Sequence, residues 1–168
     1  MRVKNRKAQY KAYKKINEKN VVIMFDYHPI VKKVGDEEIE TPLAIWEEHR
    51  FNHIPTMDEI KKVVVEYYNQ KIDERIISGL VWKNMKVWLS SENQFNYKAA
   101  YDLAVQTNGK TLPMIFKFGD DKNSVYYEFE TVEDLTDFYM SSINHIQNEL
   151  KRGWEIKDNI DWSNFEEK

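Results

Sequence analysis

The chain reads as an α+β protein. Its C-terminal part follows the order helix, hairpin, helix, hairpin, helix, with three main helices and small antiparallel hairpins. A strand-containing segment and a basic arm precede it. Three observations predict this. Two long stretches, starting at Thr56 and Thr131, carry apolar residues at helical spacing behind capping residues. Two others, around Lys83–Asn84 and around the Gly-Asp-Asp-Lys-Asn run 119–123, place β-branched and aromatic residues on either side of a turn. The chain of 168 residues is 42% hydrophobic and 14% aromatic, which is ample for a packed core and the opposite of a disordered composition.

The basic arm is residues 1–20. It holds eight Lys/Arg against the single acid Glu18, whereas the remainder carries seventeen basic against twenty-seven acidic residues. Tyr10, Tyr13 and Ile16 recur at three-residue spacing, a thin apolar stripe if the arm is helical. Three readings stay open: a solvated terminus, a segment docking on an acidic protein surface, or a phosphate-tracking strip with interleaved Tyr. An overall pI near 5.9 counts against a dedicated nucleic-acid binder.

Residues 21–55 form a strand-containing docking segment. Val21–Phe25 is an apolar run of strand length that Pro29 is expected to end or bend. Gly35–Asp36 reads as a turn, and Ile39, Leu43, Ile45 and Trp46 mark the return. His49 and His53 are four apart, a zinc-like spacing on a helix, but Arg50 stands where a zinc protease has its Glu, and Pro55 cuts the segment short. Two surface histidines is the better reading.

The α+β domain proper is residues 56–153. Thr56 and Glu59 form a capping box at what reads as the longest helix. Ile60, Val64, Tyr68, Ile72 and Ile76, with Val63 and Tyr67 beside them, make its buried face, and Asp73, Glu74 and Arg75 lie towards solvent. Gly79 ends it. Trp82 and Trp88 flank the first hairpin turn. Ser91, three residues before Gln94, caps the next helix, which Asn108–Gly109 stops. In the second hairpin Phe116 and Phe118 share one face, as do Val125, Tyr127 and Phe129. Thr131 caps the last helix, whose stripe is Leu135, Phe138, Tyr139, Ile143, Ile146 and Leu150, with Gly153 as its stop. Residues 154–168 are an aromatic tail that either straps back over the domain or inserts into a neighbour.

No motif carries chemistry. There is no cysteine, which excludes disulfides, thiolate catalysis and Cys-based zinc sites and fits a reducing compartment. The five glycines are scattered, so phosphate loops and dinucleotide signatures are absent, as is a nucleophile elbow. Asp120, Asp121 and Asn123 lack the loop pattern of a calcium site. No run has the length of a membrane span, and no apolar signal-peptide core follows the basic start. The expectation is a non-enzyme with no catalytic residue, metal or cofactor.

The run from Tyr67 to Ala104 carries a pattern of distinctive order. Asp73, Arg75, Ile76 and Gly79 end a helix, Val81, Trp82 and Val87 form a hairpin, and Ser91, Gln94 and Asn96 open the next helix. A two-stranded stretch and a long helix with His145-Ile146 complete it. Residues 67 to about 158 thereby resemble a small domain of unknown function encoded by tailed bacteriophages and prophages, found in tail-fibre and tail-fibre-assembly-like proteins. The version here is most similar to forms from phages of gut Bacteroides-type hosts, with Leu80 replacing a typical Phe. The resemblance implies no catalytic residues. It implies a virion structural protein of the tail, fibre, baseplate or neck, assembled in the host bacterial cytoplasm, with other phage structural proteins as partners in a symmetric oligomer or a ring or fibre attachment. One alternative is a tail-fibre assembly chaperone absent from the mature particle. A second is a DNA-binding accessory protein acting through the arm. The expected attachment residues are Arg2, Lys4, Arg6, Lys7, Tyr10, Lys11, Tyr13, Lys14 and Lys15 in the arm, and Trp154, Ile156, Ile160, Trp162 and Phe165 in the tail.

Overall fold

A computed structural model describes residues 1–120 and 122–167. The protein is α+β, with three α-helices and antiparallel sheets. It divides into two compact units, Met1–Tyr67 with Asn159–Lys168, and Tyr68–Asp158. The division falls inside the first helix, not before Thr56.

The first unit is built on a four-stranded antiparallel sheet. Its strands are β1 (Arg2–Arg6), β2 (Tyr13–Lys15), β3 (Val21–Val34) and β4 (Glu37–Phe51), in spatial order β1-β4-β3-β2. Val21 to Phe25 are all buried, which period-2 alternation allows only if both faces of β3 are covered. On one face Val22 and Met24 pack with Ala44, Trp46, Val3 and Tyr10. Val21, Ile23 and Phe25 point the other way, and the Phe25 ring meets Tyr67 of α1 (Met57–Ser78) edge-on at 5.2 Å.

The N-terminal residues are not the separate basic arm that their composition predicts. Residues 1–20 hold two strands of this sheet. β1 pairs with β4 from Arg2↔Glu47 to Arg6↔Leu43, and β2 pairs with β3 from Tyr13↔Ile23 to Lys15↔Val21. Arg2, Lys4 and Arg6 alternate with Val3 as exposed and inward positions of a strand. The Tyr10–Tyr13–Ile16 spacing is accidental: Tyr10 lies against the sheet, Tyr13 is in β2, and Ile16 is 53% exposed. Pro29 does not end its strand either. β3 and β4 stay paired to Val34↔Glu37, with register shifts between Phe25 and His28 and between Pro29 and Val31. Bulging absorbs the proline.

The second unit contains the rest of α1, a tight hairpin of β5 (Val81–Trp82) and β6 (Met85–Lys86), α2 (Ser91–Gln106), a hairpin of β7 (Met114–Gly119) and β8 (Ser124–Phe129), and α3 (Val132–Asp158). Lys83 and Asn84 both have positive φ, as a two-residue primed turn requires. The core is aromatic: Trp82, Tyr97, Phe118, Phe129 and Phe138 are buried with Leu80, Val87, Leu89, Ala104 and Leu135. The Phe138 ring lies 4.9–5.4 Å from Trp82, Tyr97, Phe118 and Phe129.

Local signals read well. Thr56 Oγ1 accepts from the Glu59 N–H while Glu59 accepts from the Thr56 N–H at 2.8 Å, the reciprocal capping box. Thr131 Oγ1 accepts from the Asp134 N–H. Four details differ. The cap of α2 is Ser90, whose hydroxyl accepts from the Asn93 N–H, one residue before the expected Ser91. α3, at 27 residues, is longer than α1 at 22. Arg75 is not a solvent group: its Nε donates to Glu149 of α3 at 2.7 Å. Finally, Gly153 does not stop α3 but lies buried inside it, where a Cβ would sit 2.1 Å from Ile72 Cδ1 of α1. The glycine marks close helix approach.

Candidate protein interaction surfaces

The surface that stands out in the first unit is the far half of the β3–β4 hairpin. β2 covers β3 only as far as Ile23, and β1 covers β4 only from Leu43 onward. From Ile30 to Val34 and from Glu37 to Pro42 the two strands continue as a two-stranded ribbon, roughly 15 Å long at about 3.3 Å per residue. Neither face of it is covered: Val31, Val34 and Ile39 are 42%, 60% and 49% exposed. A lone two-stranded ribbon gains little stability from its own contacts in water. Its anchor is local, since Thr41 Oγ1 donates to the Ile30 carbonyl at 2.8 Å across the second register shift.

A polar knot sits in β3 just beyond the end of β2, on the way to the ribbon. Asp26 has φ +54, a left-handed conformation that Asp tolerates better than most residues. Tyr67 Oη donates to Asp26 Oδ2 at 2.6 Å, Arg2 Nη1 reaches the same oxygen at 3.2 Å, and His28 Nε2 lies 2.9 Å from Oδ1. Burial pushes the Asp26 carboxyl up, but the Tyr67 hydrogen bond and the His28 and Arg2 contacts outweigh it and hold the group below the usual carboxylate range. The Tyr67 phenol moves up, through burial and its bond to Asp26. Every named group in this knot is satisfied by another, so it fixes backbone.

The expected attachment residues divide. Arg2 pairs with Asp26 and Glu47, Lys7 with Glu40, and Lys15 with Glu167 at 2.9 Å. Tyr10 donates to the Met24 carbonyl and packs on Tyr27 and Trp46, so it is a core residue whose burial raises its pKa. Tyr13 is half-buried in β2, while Lys4, Arg6, Lys11 and Lys14 are exposed. The expected tail is not one segment. Trp154 and Ile156 belong to α3, with Trp154 55% exposed. Ile160, Trp162 and Phe165 belong to the first unit. There Trp162–Phe165 forms a short 3-10 turn capped by Asp161, Phe165 is buried, and Lys61 Nζ sits 5.8 Å from the Trp162 ring. This part straps back onto its own chain.

In the second unit, α2 and α3 leave an apolar groove of about 220 Å³ lined by Leu89, Phe95, Tyr97, Tyr139, Ile143 and Ile146, with Phe95 73% exposed. A turn-side clamp closes the β5–β6 hairpin: Lys83 Nζ donates to Asp134 at 2.5 Å and to Tyr127 at 2.7 Å and lies over the Trp82 ring. These partners raise the Lys83 pKa. His145 Nε2 lies 3.0 Å from the Arg75 carbonyl, at the end of α1, and is structural.

The histidine pair flagged by spacing is split. His49 is in β4 against the Phe51 ring, and His53 meets Glu59 at 3.0 Å at the start of α1. Burial lowers the His49 pKa. Among the described residues no group of three or more His, Asp or Glu is placed to hold a metal. Asp120 accepts from the N–H groups of Lys122 and Asn123, a turn-stabilising role; Asp121 lies outside the described residues. No helix is long and apolar enough to cross a membrane among the described residues. Residue reasoning placed the Gly35–Asp36 turn and the return through Ile39, which the structure has, and missed that this hairpin outruns its neighbouring strands. Its signal was the β-branched residues that continue beyond Pro29, at Ile30, Val31 and Val34, and return at Ile39. Comparison with family models, curated proteins and solved structures finds no match.

Proposed function

We propose that the chain is a non-enzymatic assembly protein that works through protein–protein contacts, and that it is a structural component of the tail region of a tailed-phage particle. The phage context rests on the sequence resemblance. The assembly role rests on one observation, the ribbon 30–42, which extends past the rest of its sheet and exposes Val31, Val34 and Ile39. An uncovered two-stranded ribbon with free edges is a template for strand addition by a partner. Quantitative mass spectrometry of purified particles, calibrated against the major capsid protein, tests the reading. A fixed copy number matching a ring or fibre symmetry is expected. Abundance in infected cells with absence from particles overturns it in favour of an assembly chaperone.

A further inference from the structure

We infer that the ribbon joins copies of this chain head to tail, the β3 edge of one copy adding to the β4 edge of the next. This rests on the assembly reading above and names its partner. The outer part of β3 carries Lys32 and Lys33 and no acid; the outer part of β4 carries Glu37, Glu38 and Glu40 and no base. One edge is basic and the other acidic. Their charges are poorly used inside the hairpin. The register sets Lys32 opposite Ile39 and Val34 opposite Glu37, and only Lys33 faces an acid, Glu38. Glu40 is engaged by Lys7. Among the described residues Lys32, Lys33, Glu37 and Glu38 form no ion pair within 4.0 Å.

Edge charges ordinarily discourage strand addition, and prolines do the same. Here they select one mode of it. A two-fold pairing of β3 with β3 sets Lys32 and Lys33 against their own kind, and β4 with β4 does so for the glutamates. Only β3 against β4 brings opposite charges together. With all ribbon tips pointing the same way, those two strands run antiparallel, so the ladder continues from copy to copy. Pro29 and Pro42 lack an N–H and limit the usable edge to 30–34 and 37–41. Val31, Val34 and Ile39 then gain neighbours on each face. Such a contact is heterologous, and it closes into a ring or runs on as a fibre.

The test is sedimentation velocity on the full chain and two charge-reversed variants, Lys32→Glu/Lys33→Glu and Glu37→Lys/Glu38→Lys, with circular dichroism as the folding control. The unaltered chain should self-associate at low salt. Raising the salt to about 1 M, where the screening length is about 3 Å, should weaken association at least about tenfold. Each variant alone should lose association, because both its edges then carry one sign. An equimolar mixture of the two should regain it, since every β3–β4 contact between unlike copies is again complementary. A chain that stays monomeric at about 100 μM in low salt overturns the inference. So do variants that associate as well as the original, or a mixture that stays monomeric. Monomer in solution with a fixed copy number in particles removes only the self-pairing. Self-association with absence from particles removes only the virion role.

Discussion

The hairpin β7–β8 and the outer part of the β3–β4 hairpin have the same local ingredients, and they end differently. β7–β8 sets Phe118 and Phe129, 3% and 0% exposed, into the aromatic cluster beneath Phe138 of α3. The outer β3–β4 ribbon intersperses Val31, Val34 and Ile39 among charges and leaves all three exposed. The difference teaches where stability and recognition separate. A strand pair that buries large aromatic side chains on one face is part of a core. One that divides small apolar residues between two faces and sorts its charges by edge gains little from folding, and its sequence is free to serve a partner.

Substitutions can break or sharpen that contrast. The largest effect is expected at Phe138→Ala, which empties the centre of the ring cluster that covers β7–β8. It should cost about 3–5 kcal/mol in denaturant unfolding of the chain. Gly153→Ala comes next, because its Cβ would stand 2.1 Å from Ile72 Cδ1 and force α1 and α3 apart in the second unit. About 1–3 kcal/mol of destabilisation is expected. Combining it with Ile72→Ala should recover part of that cost in a double-mutant cycle, whereas strictly additive losses would show that the close approach is unimportant.

Asp26→Asn probes the polar knot in β3. Asn tolerates positive φ, so the substitution removes charge and leaves backbone preference intact. A carboxyl held low by folding stabilises the protein fully above its ordinary value of about 4, and that contribution is lost as pH falls through the lower folded value. At neutral pH the Asn variant should therefore be less stable by about 1–3 kcal/mol, with a shallower acid limb. Equal acid limbs in the two proteins would remove Asp26 from the account. The smallest effect is expected at Ile39→Ser, within about 0.5 kcal/mol, as for any exposed site. The same substitution should still weaken self-association, and a matching loss of stability would mean the ribbon is core after all.

Much of the second unit is legible in the chain itself. Its two hairpins, the α2 stop at Asn108–Gly109 and the stripe Leu135–Phe138 rest on residues within a few positions of each other. The interaction surface is less so. Arg2 pairs across the sheet with Glu47, and no local pattern reveals that a basic arm is a pair of strands. Gly153 looked like a stop because glycine weakens helices, and its packing against Ile72, eighty-one positions away, cannot be read from its neighbours. The tail likewise splits at a point that only the two units define.

The sequence by itself determined the α+β class, the capping of α1 and α3, the turn at Lys83–Asn84 and the aromatic makeup of the core. Those follow from short-range backbone preference and side-chain periodicity, which are properties of contiguous residues. Tertiary structure alone decided that residues 1–20 join a sheet, that β3 and β4 outrun their neighbours, and that opposite charges line the two free edges of the ribbon. Strand pairing joins residues distant in the chain, and whether an edge is covered or free depends on where the other strands end.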